Sequence, residues 1–504
     1  MQGYEEILLA MGHPSWYQFY VTFWLVMTVA SVGCHFKFMI YGSIVPKERD
    51  CPANLTHSYG EHNGVLYDNG TCYDTAGMPF RAMAADWELV GDRRYFLSLI
   101  TSIQMCGVLV GPLIAGILSD RFGRRPALFV ANIGILVFGV ANGFSYSWQV
   151  FAAMRFLVGM SVGASLASAS VYATETIVGS WRVAFLSLPW PINYFYFTTL
   201  GYLTQEWRIF SFIINSTAPL AIIMIFWLVE SPKWLLARGR KEEARRALHC
   251  IARRNRVTEM GKIDKMIDSL PPIEEVKQTY SYLHLFYSRK VALQTVVVLT
   301  CAGAAAGNYY CLLFNIANLA GSPFVNTALI ATIETFLNFA IVLMDFKWKK
   351  FGRKPILVFG MLIPASASTC LAILHGSGVS EKVKWSATIP SMIGLSFTAF
   401  YWVGGCMMAL EIFPTELRNM GYSAANVALR IGSIIAPQVL ALYYVWKPAP
   451  FMVFATILAI SALAAFLVLP ETKDQPLPDL PHKLATEANG KTKYAETVDS
   501  ATTV

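Results

Sequence analysis

Twelve apolar stretches of roughly 18–25 residues, separated by polar segments, recur along the chain at about 17–44, 95–118, 127–146, 149–173, 182–204, 208–229, 291–315, 323–345, 355–375, 386–410, 420–444 and 449–469. A hydrocarbon layer about 30 Å thick asks this length of an α-helix and leaves no water for an unpaired backbone group. Each stretch is therefore predicted to be a membrane-spanning helix, and the fold class expected is all-α and integral to the membrane.

Composition agrees with the pattern. Hydrophobic residues make up 55% of the chain and charged ones 14%, against about a quarter charged in soluble domains. The net charge of +8 is distributed by topology: Arg121, Arg124, Arg125, Arg182, Lys347, Lys349, Lys350, Arg353, Lys354 and Arg418 all follow even-numbered spans. Those loops share one face, which the basic excess marks as cytoplasmic, with both termini inside. Nothing resembles a continuous basic groove, so no nucleic-acid partner is expected. Glu5 and Glu6, with no small-residue cleavage site, predict that the first span is retained rather than removed as a leader.

The large outward loop, residues 45–94, carries Cys51, Cys72 and the sequons beginning at Asn54 and Asn69. An oxidising, glycosylating lumen suits them. A Cys51–Cys72 disulfide is expected, the alternative being two free thiols, with glycans at Asn54 and Asn69. The sequon at Asn215 lies inside a span and should stay bare. The remaining cysteines show no metal-ligand spacing, and no phosphate-binding loop appears. Gly159-Met-Ser-Val-Gly163 fits a nucleophile elbow by letters only, because it sits mid-span, where its glycines and those at 107 and 111 serve close helix packing. No enzyme, cofactor or metal is expected.

The chain also repeats itself. Glu175 and Arg182 are answered by Glu411 and Arg418 at an offset of 236; Gly123-Arg-Arg-Pro126 is answered by Gly352-Arg-Lys-Pro355 at 229; Glu230-Ser-Pro232 answers to Pro470-Glu-Thr472. Two six-span halves follow: 1–229, including the loop 45–94, and 291–470. A cytoplasmic helical linker is expected at 230–290 and a disordered cytoplasmic tail at 471–504. Parallel repeats of this kind place a substrate site near the bilayer midplane and move by rocking one half against the other.

These strings resemble the major facilitator superfamily and, within it, the organic-ion transporters of solute carrier family 22. The resemblance runs from about residue 5 to 480 and rests on Asp86-Trp-Glu-Leu-Val90, Leu118-Ser-Asp-Arg-Phe-Gly-Arg-Arg-Pro126, Arg155-Phe-Leu-Val-Gly159, Glu230-Ser-Pro-Lys-Trp-Leu235, Glu411-Ile-Phe-Pro-Thr415 through Gly421, and Leu469-Pro-Glu-Thr-Lys473. It implies a twelve-helix fold with two six-helix halves around a central cavity, in the plasma membrane. Two departures stand out: the first outer loop is short for the family, and Lys349 stands where the first turn motif has Asp120.

Charges at the inner ends of spans are candidates for gating, since partly wet pairs worth about 0–1 kcal/mol each suit a switch. The set is Asp120, Arg124, Glu175, Arg182, Glu411 and Arg418. Substrate candidates come from cost, because a basic residue at mid-membrane costs roughly 2.5–3.5 kcal/mol to insert. Lys37 lies in the outer third of span 1 and can snorkel; Arg155 is expected to pair structurally; Arg430 lies mid-span and is expected to contact substrate, the alternative being an ion pair with Glu334. Tyr194, Tyr309, Tyr401 and Trp402 offer flat faces, and Gln104, Asn308 and Asn426 offer hydrogen bonds. Arg430 less the offset of 236 is Tyr194.

In the family's cation carriers acids stand at the positions of Val403 and Arg430, while anion and carnitine-type carriers are similar to this chain in having arginine at the second. The resemblance thus implies transport of small organic anions or zwitterions, by exchange or facilitated diffusion. The partners expected are the organic ion, the lipid bilayer, and a counter-anion or cotransported ion. An organic cation carrier using Glu334 and cation–π contacts is the alternative, and a non-transporting receptor or scaffold the more distant one.

Overall fold

The computed structural model describes residues 2–12, 14–49, 60–62, 65–68, 71–75, 77–178, 189–257, 260–269, 282–347, 352–383, 385–414 and 417–473. Cys51, Asn54, Asn69, Arg182, Lys349 and the tail from 474 onward lie outside them. Among the described residues eleven helical segments are long and apolar enough to cross a membrane.

A short helix α1 (Gln2–Ala10) precedes the first span, α2 (Trp16–Gly42). Ser15 opens α2 in a capping box, its backbone N–H donating to Gln18 Oε1 at 3.2 Å. Spans two to four are α3 (Tyr95–Phe122), α4 (Arg124–Gly143) and α5 (Trp148–Thr176). Gly123 joins α3 to α4 at φ +108°, a backbone region that L side chains rarely adopt. Gly107 and Gly111 let α3 approach α5 so closely that a Cβ on either would collide with the Phe156 or Met160 carbonyl oxygen.

The fifth span is α6 (Pro189–Thr204), 16 described residues long. The sixth is broken into α7 (Trp207–Ile213) and α8 (Ala218–Ile225) around buried Asn215. Then come the linker helices α9 (Pro232–Ala237), α10 (Lys241–Arg254) and α11 (Met260–Asp268). The later spans are α12 (Arg289–Phe314), α13 (Pro323–Lys347), α14 (Arg353–Gly376), the pair α15 (Thr388–Phe397) and α16 (Ala399–Glu411), α17 (Arg418–Ala441) and α18 (Ala449–Val468).

The loop at 45–94, between the first two spans, adds strands to the helical fold. It holds a four-stranded antiparallel sheet, β1 (Lys47–Arg49), β2 (Gly60–His62), β3 (Val65–Asp68) and β4 (Thr71–Asp74), in the order β1-β4-β3-β2, with Leu66 opposite Tyr73. Leu66 and Tyr73 are buried against Ala85 and Val90. Cys72 is buried and disulfide-bonded, and the seven cysteines outside this loop are free thiols.

The chain forms two compact units, Met1–Ile273 with Phe314–Thr332, and Glu274–Leu313 with Ile333–Val504. The linker helices belong to the first unit, because Ile263 and Ile267 of α11 bury against Ile7, Leu8 and Met11. Residues 314–332 join it too, through Phe324, whose ring centroid lies 4.9 Å from that of Tyr41. Tyr41 also stacks on Phe197 at 4.7 Å. Exposed side chains such as Leu113, Ile117, Phe336 and Phe466 lie along the spans, as lipid-facing helices require.

Candidate functional site

In the first unit the turn after α3 presents Arg124 at the start of α4. Its Nη1 donates to Asp120 Oδ1 at 2.7 Å and Ser119 Oγ at 2.9 Å, while Nε and Nη2 grip the Glu175 carboxylate at 3.3 and 3.1 Å. The backbone N–H groups of Arg124 and Arg125 donate to the Glu230 carboxylate at 2.9 and 3.2 Å. A distant acid thus caps the helix and meets its positive dipole end. Trp234 and Arg238 of the linker segment donate to the Asp120 carbonyl, and the Tyr4 hydroxyl donates to the Glu175 carbonyl at 3.0 Å. Burial beside Glu175 pushes the Tyr4 phenol well above its usual range, so it stays a neutral donor.

The second unit repeats the device. Arg353 opens α14 and lies 3.5 Å from Glu411, whose other oxygen accepts from Thr472 Oγ1 at 2.6 Å. The backbone N–H groups of Arg353 and Lys354 donate to Glu471 at 2.7 and 3.3 Å. Among the described residues Glu175 meets Arg124 and Glu411 meets Arg353, while Arg182 lies outside them. Arg418 Nε and Nη2 are buried without a hydrogen-bond partner among the described residues.

Within the spans of the first unit, Lys37 is 4% exposed, donates to Asn193 Oδ1, and places Nζ 3.8 Å from the Tyr194 ring centroid. Gln104 is buried and donates to the His35 carbonyl at 2.8 Å, tying α3 to α2. Arg155 is wholly buried; its guanidinium lies 3.8 Å over the Phe38 ring and 3.4 Å from His35 Nδ1, while His35 Nε2 meets Asn215 Oδ1 at 3.0 Å. The expected structural pairing of Arg155 is thus with a ring and an imidazole, not with a carboxylate. His35, Asn193 and Asn215 were not singled out from the sequence for this role, since isolated polar letters in a span do not reveal their neighbours.

In the second unit Arg430 is half-buried on α17, with the Tyr310 phenol in hydrogen-bonding reach and Tyr422 close by. Asn426, one turn before it, donates to the Tyr422 carbonyl at 2.9 Å. Tyr309 and Trp402 are half-buried with their rings edge-to-face at 5.9 Å. Tyr401 is 3% exposed and packs into its own unit, and Asn308 is buried with its Oδ1 accepting from Ser368 at 2.9 Å.

Buried basic residues in apolar helices, a charge cluster repeated in both units and an apolar exterior are the features of a multi-pass membrane protein. The model of the sugar (and other) transporter family matches residues 55–484, so the chain belongs to that family, within the major facilitator superfamily. Solute carrier family 22 member 16 of Bos taurus is 29% identical over 85% of this chain and 75% of its own. The organic cation transporter protein of Drosophila melanogaster is 28% identical over 78% and 72%. The inward-open xylose transporter XylE from E. coli shares the fold at a TM-score of 0.64 and 17% identity, over 91% of this chain and 98% of its own.

Proposed function

We propose that this chain carries small organic ions with a negative pole, organic anions or zwitterions, across the plasma membrane by alternating access, with both termini in the cytoplasm and glycans at Asn54 and Asn69. The observation that carries the reading is Arg430: a guanidinium in the middle of α17 beside Tyr310, Tyr422 and Asn426, where insertion is costly and a substrate carboxylate would repay it. Half-buried Tyr309 and Trp402 supply flat faces for the substrate's organic body. The inner-end clusters of Asp120, Arg124 and Glu175, and of Arg353 and Glu411, act as the gate. A counter-anion or cotransported ion completes the cycle.

Cation transport is the second reading, supported by the similarity to the Drosophila organic cation transporter protein and by the same aromatic rings. A competition uptake screen over labelled carboxylates, zwitterions and quaternary ammonium ions separates the two. Arg430→Ala should lose carboxylate uptake by about tenfold or more at equal surface abundance, the worth of a charge-assisted contact. Undiminished carboxylate uptake in that variant, or wild-type uptake of cations alone, would overturn the proposal.

A further inference from the structure

Lys37 is one of the few charged side chains buried inside a span, and its surroundings are specific. Tyr194 and Phe197 stand three residues apart on α6 and so share a face; their ring centroids lie 3.8 and 5.9 Å from Lys37 Nζ. Asn193 supplies the acceptor. Its Nδ2 donates to the Val29 and Ala30 carbonyls at 3.1 and 2.8 Å, which fixes the amide and leaves Oδ1 aimed at the ammonium. Asn193 is 0% exposed and Tyr194 4%, so the contacts form in a desolvated setting.

Two aromatic faces and one pre-oriented carbonyl oxygen are the chemistry that recognises an organic ammonium ion. We propose that Asn193, Tyr194 and Phe197 form an ammonium-binding subsite and that Lys37 is its tethered occupant, denying the subsite to small organic cations. The lysine then acts as a specificity determinant, and removing it opens a site for a primary alkylammonium. This inference rests on the reading of the chain as a carrier that prefers a negative pole.

The test uses the full-length protein and n-propylammonium, the fragment that Lys37→Ala deletes beyond Cβ. Uptake of labelled n-propylammonium relative to a labelled carboxylate should rise in Lys37→Ala about fivefold to thirtyfold over wild type, the span that such a cation–π contact covers. In detergent, n-propylammonium should stabilise the variant against heat saturably, n-propanol should not, and adding Tyr194→Leu should abolish the effect. An unchanged uptake ratio, or no stabilisation by n-propylammonium, overturns the proposal. Where Lys37→Ala fails to reach the membrane, growth with n-propylammonium should restore it, and failure to restore it also overturns the proposal. The wild-type preference for carboxylates tests the underlying reading separately, because the variant is scored only by its change from wild type.

Discussion

Arg124 makes two ion pairs with one guanidinium, and their surroundings should give them unequal worth. The Arg124 and Glu175 side chains are 14% and 10% exposed, whereas Asp120 is 67% exposed. The sheltered, two-bond grip on Glu175 should contribute about 1.5–3 kcal/mol as a charge-assisted contact. Although shorter, the Asp120 contact is solvated and screened, and should contribute about 0–1 kcal/mol. Double-mutant cycles with Arg124→Gln, Glu175→Gln and Asp120→Asn, read by detergent unfolding of the full-length protein, should therefore give a coupling of about 2 kcal/mol for the first pair and under about 1 kcal/mol for the second. If the cluster holds one access state, a bias of about 2 kcal/mol moves that equilibrium roughly thirtyfold. Glu175→Gln should then change the maximal uptake rate far more than substrate affinity, while Asp120→Asn stays within about fivefold. Equal couplings would refute the energetic ranking. Parallel loss of rate and affinity would refute the gating role.

Glu230→Gln removes the charge that caps two backbone N–H groups of α4 and should destabilise the first unit by about 1–2 kcal/mol, measured by the same unfolding assay. Glu471→Gln, whose bonds to Arg353 and Lys354 are more exposed, should cost less, and the reverse order would contradict the capping argument. In the linker, Lys241 and then Arg245 hold the Asp268 carboxyl below its usual range. A lowered folded value means the contact stabilises above the ordinary carboxylate range near 4 and is lost as pH falls through the lowered value, so exchange protection of Met260–Asp268 should be flat from about pH 5 to 7 and fall only in stronger acid. Gly111→Val should clash with the Met160 carbonyl and cost about 1–3 kcal/mol, seen as reduced surface abundance and a lower melting temperature.

The spans were legible because bilayer thickness writes itself into the length of apolar runs. Each of the twelve predicted stretches has helices in it, with α3 and α5 running a few residues further at their C-terminal ends, to Phe122 and Thr176. The outer sheet was missed although its signal is local. Asn63-Gly64 and Asn69-Gly70 flank Val65–Asp68, the two-residue pattern that favours hairpins, but strands of three or four residues give hydrophobic alternation too short to stand out. Breaks inside the sixth and tenth spans were hidden for the opposite reason, since Asn215 and Thr398 sit in apolar runs long enough to read as continuous helix. Pairing was the least legible layer. The repeat marked Glu175, Glu411, Glu230 and Glu471 as equivalent landmarks, yet only the turn at Gly123 shows that Glu175 meets Arg124 and that Glu230 meets the start of α4.

The repeat itself explains why one device stands in both units. A duplicated inner-end cluster needs an arginine after a glycine, a glutamate at the end of a preceding span, and a second glutamate to cap the helix, and both units retain all three. Around that frame the first unit adds Asp120 and the linker's Trp234 and Arg238, so its arginine is gripped from two sides and its turn is held from outside. The second places Arg353 3.5 Å from Glu411 and adds Thr472. With these clusters acting as the gate proposed above, variants at Arg124 and Glu175 and the corresponding ones at Arg353 and Glu411 should each change the maximal uptake rate more than substrate affinity, and a parallel loss of both at either pair would refute the role there.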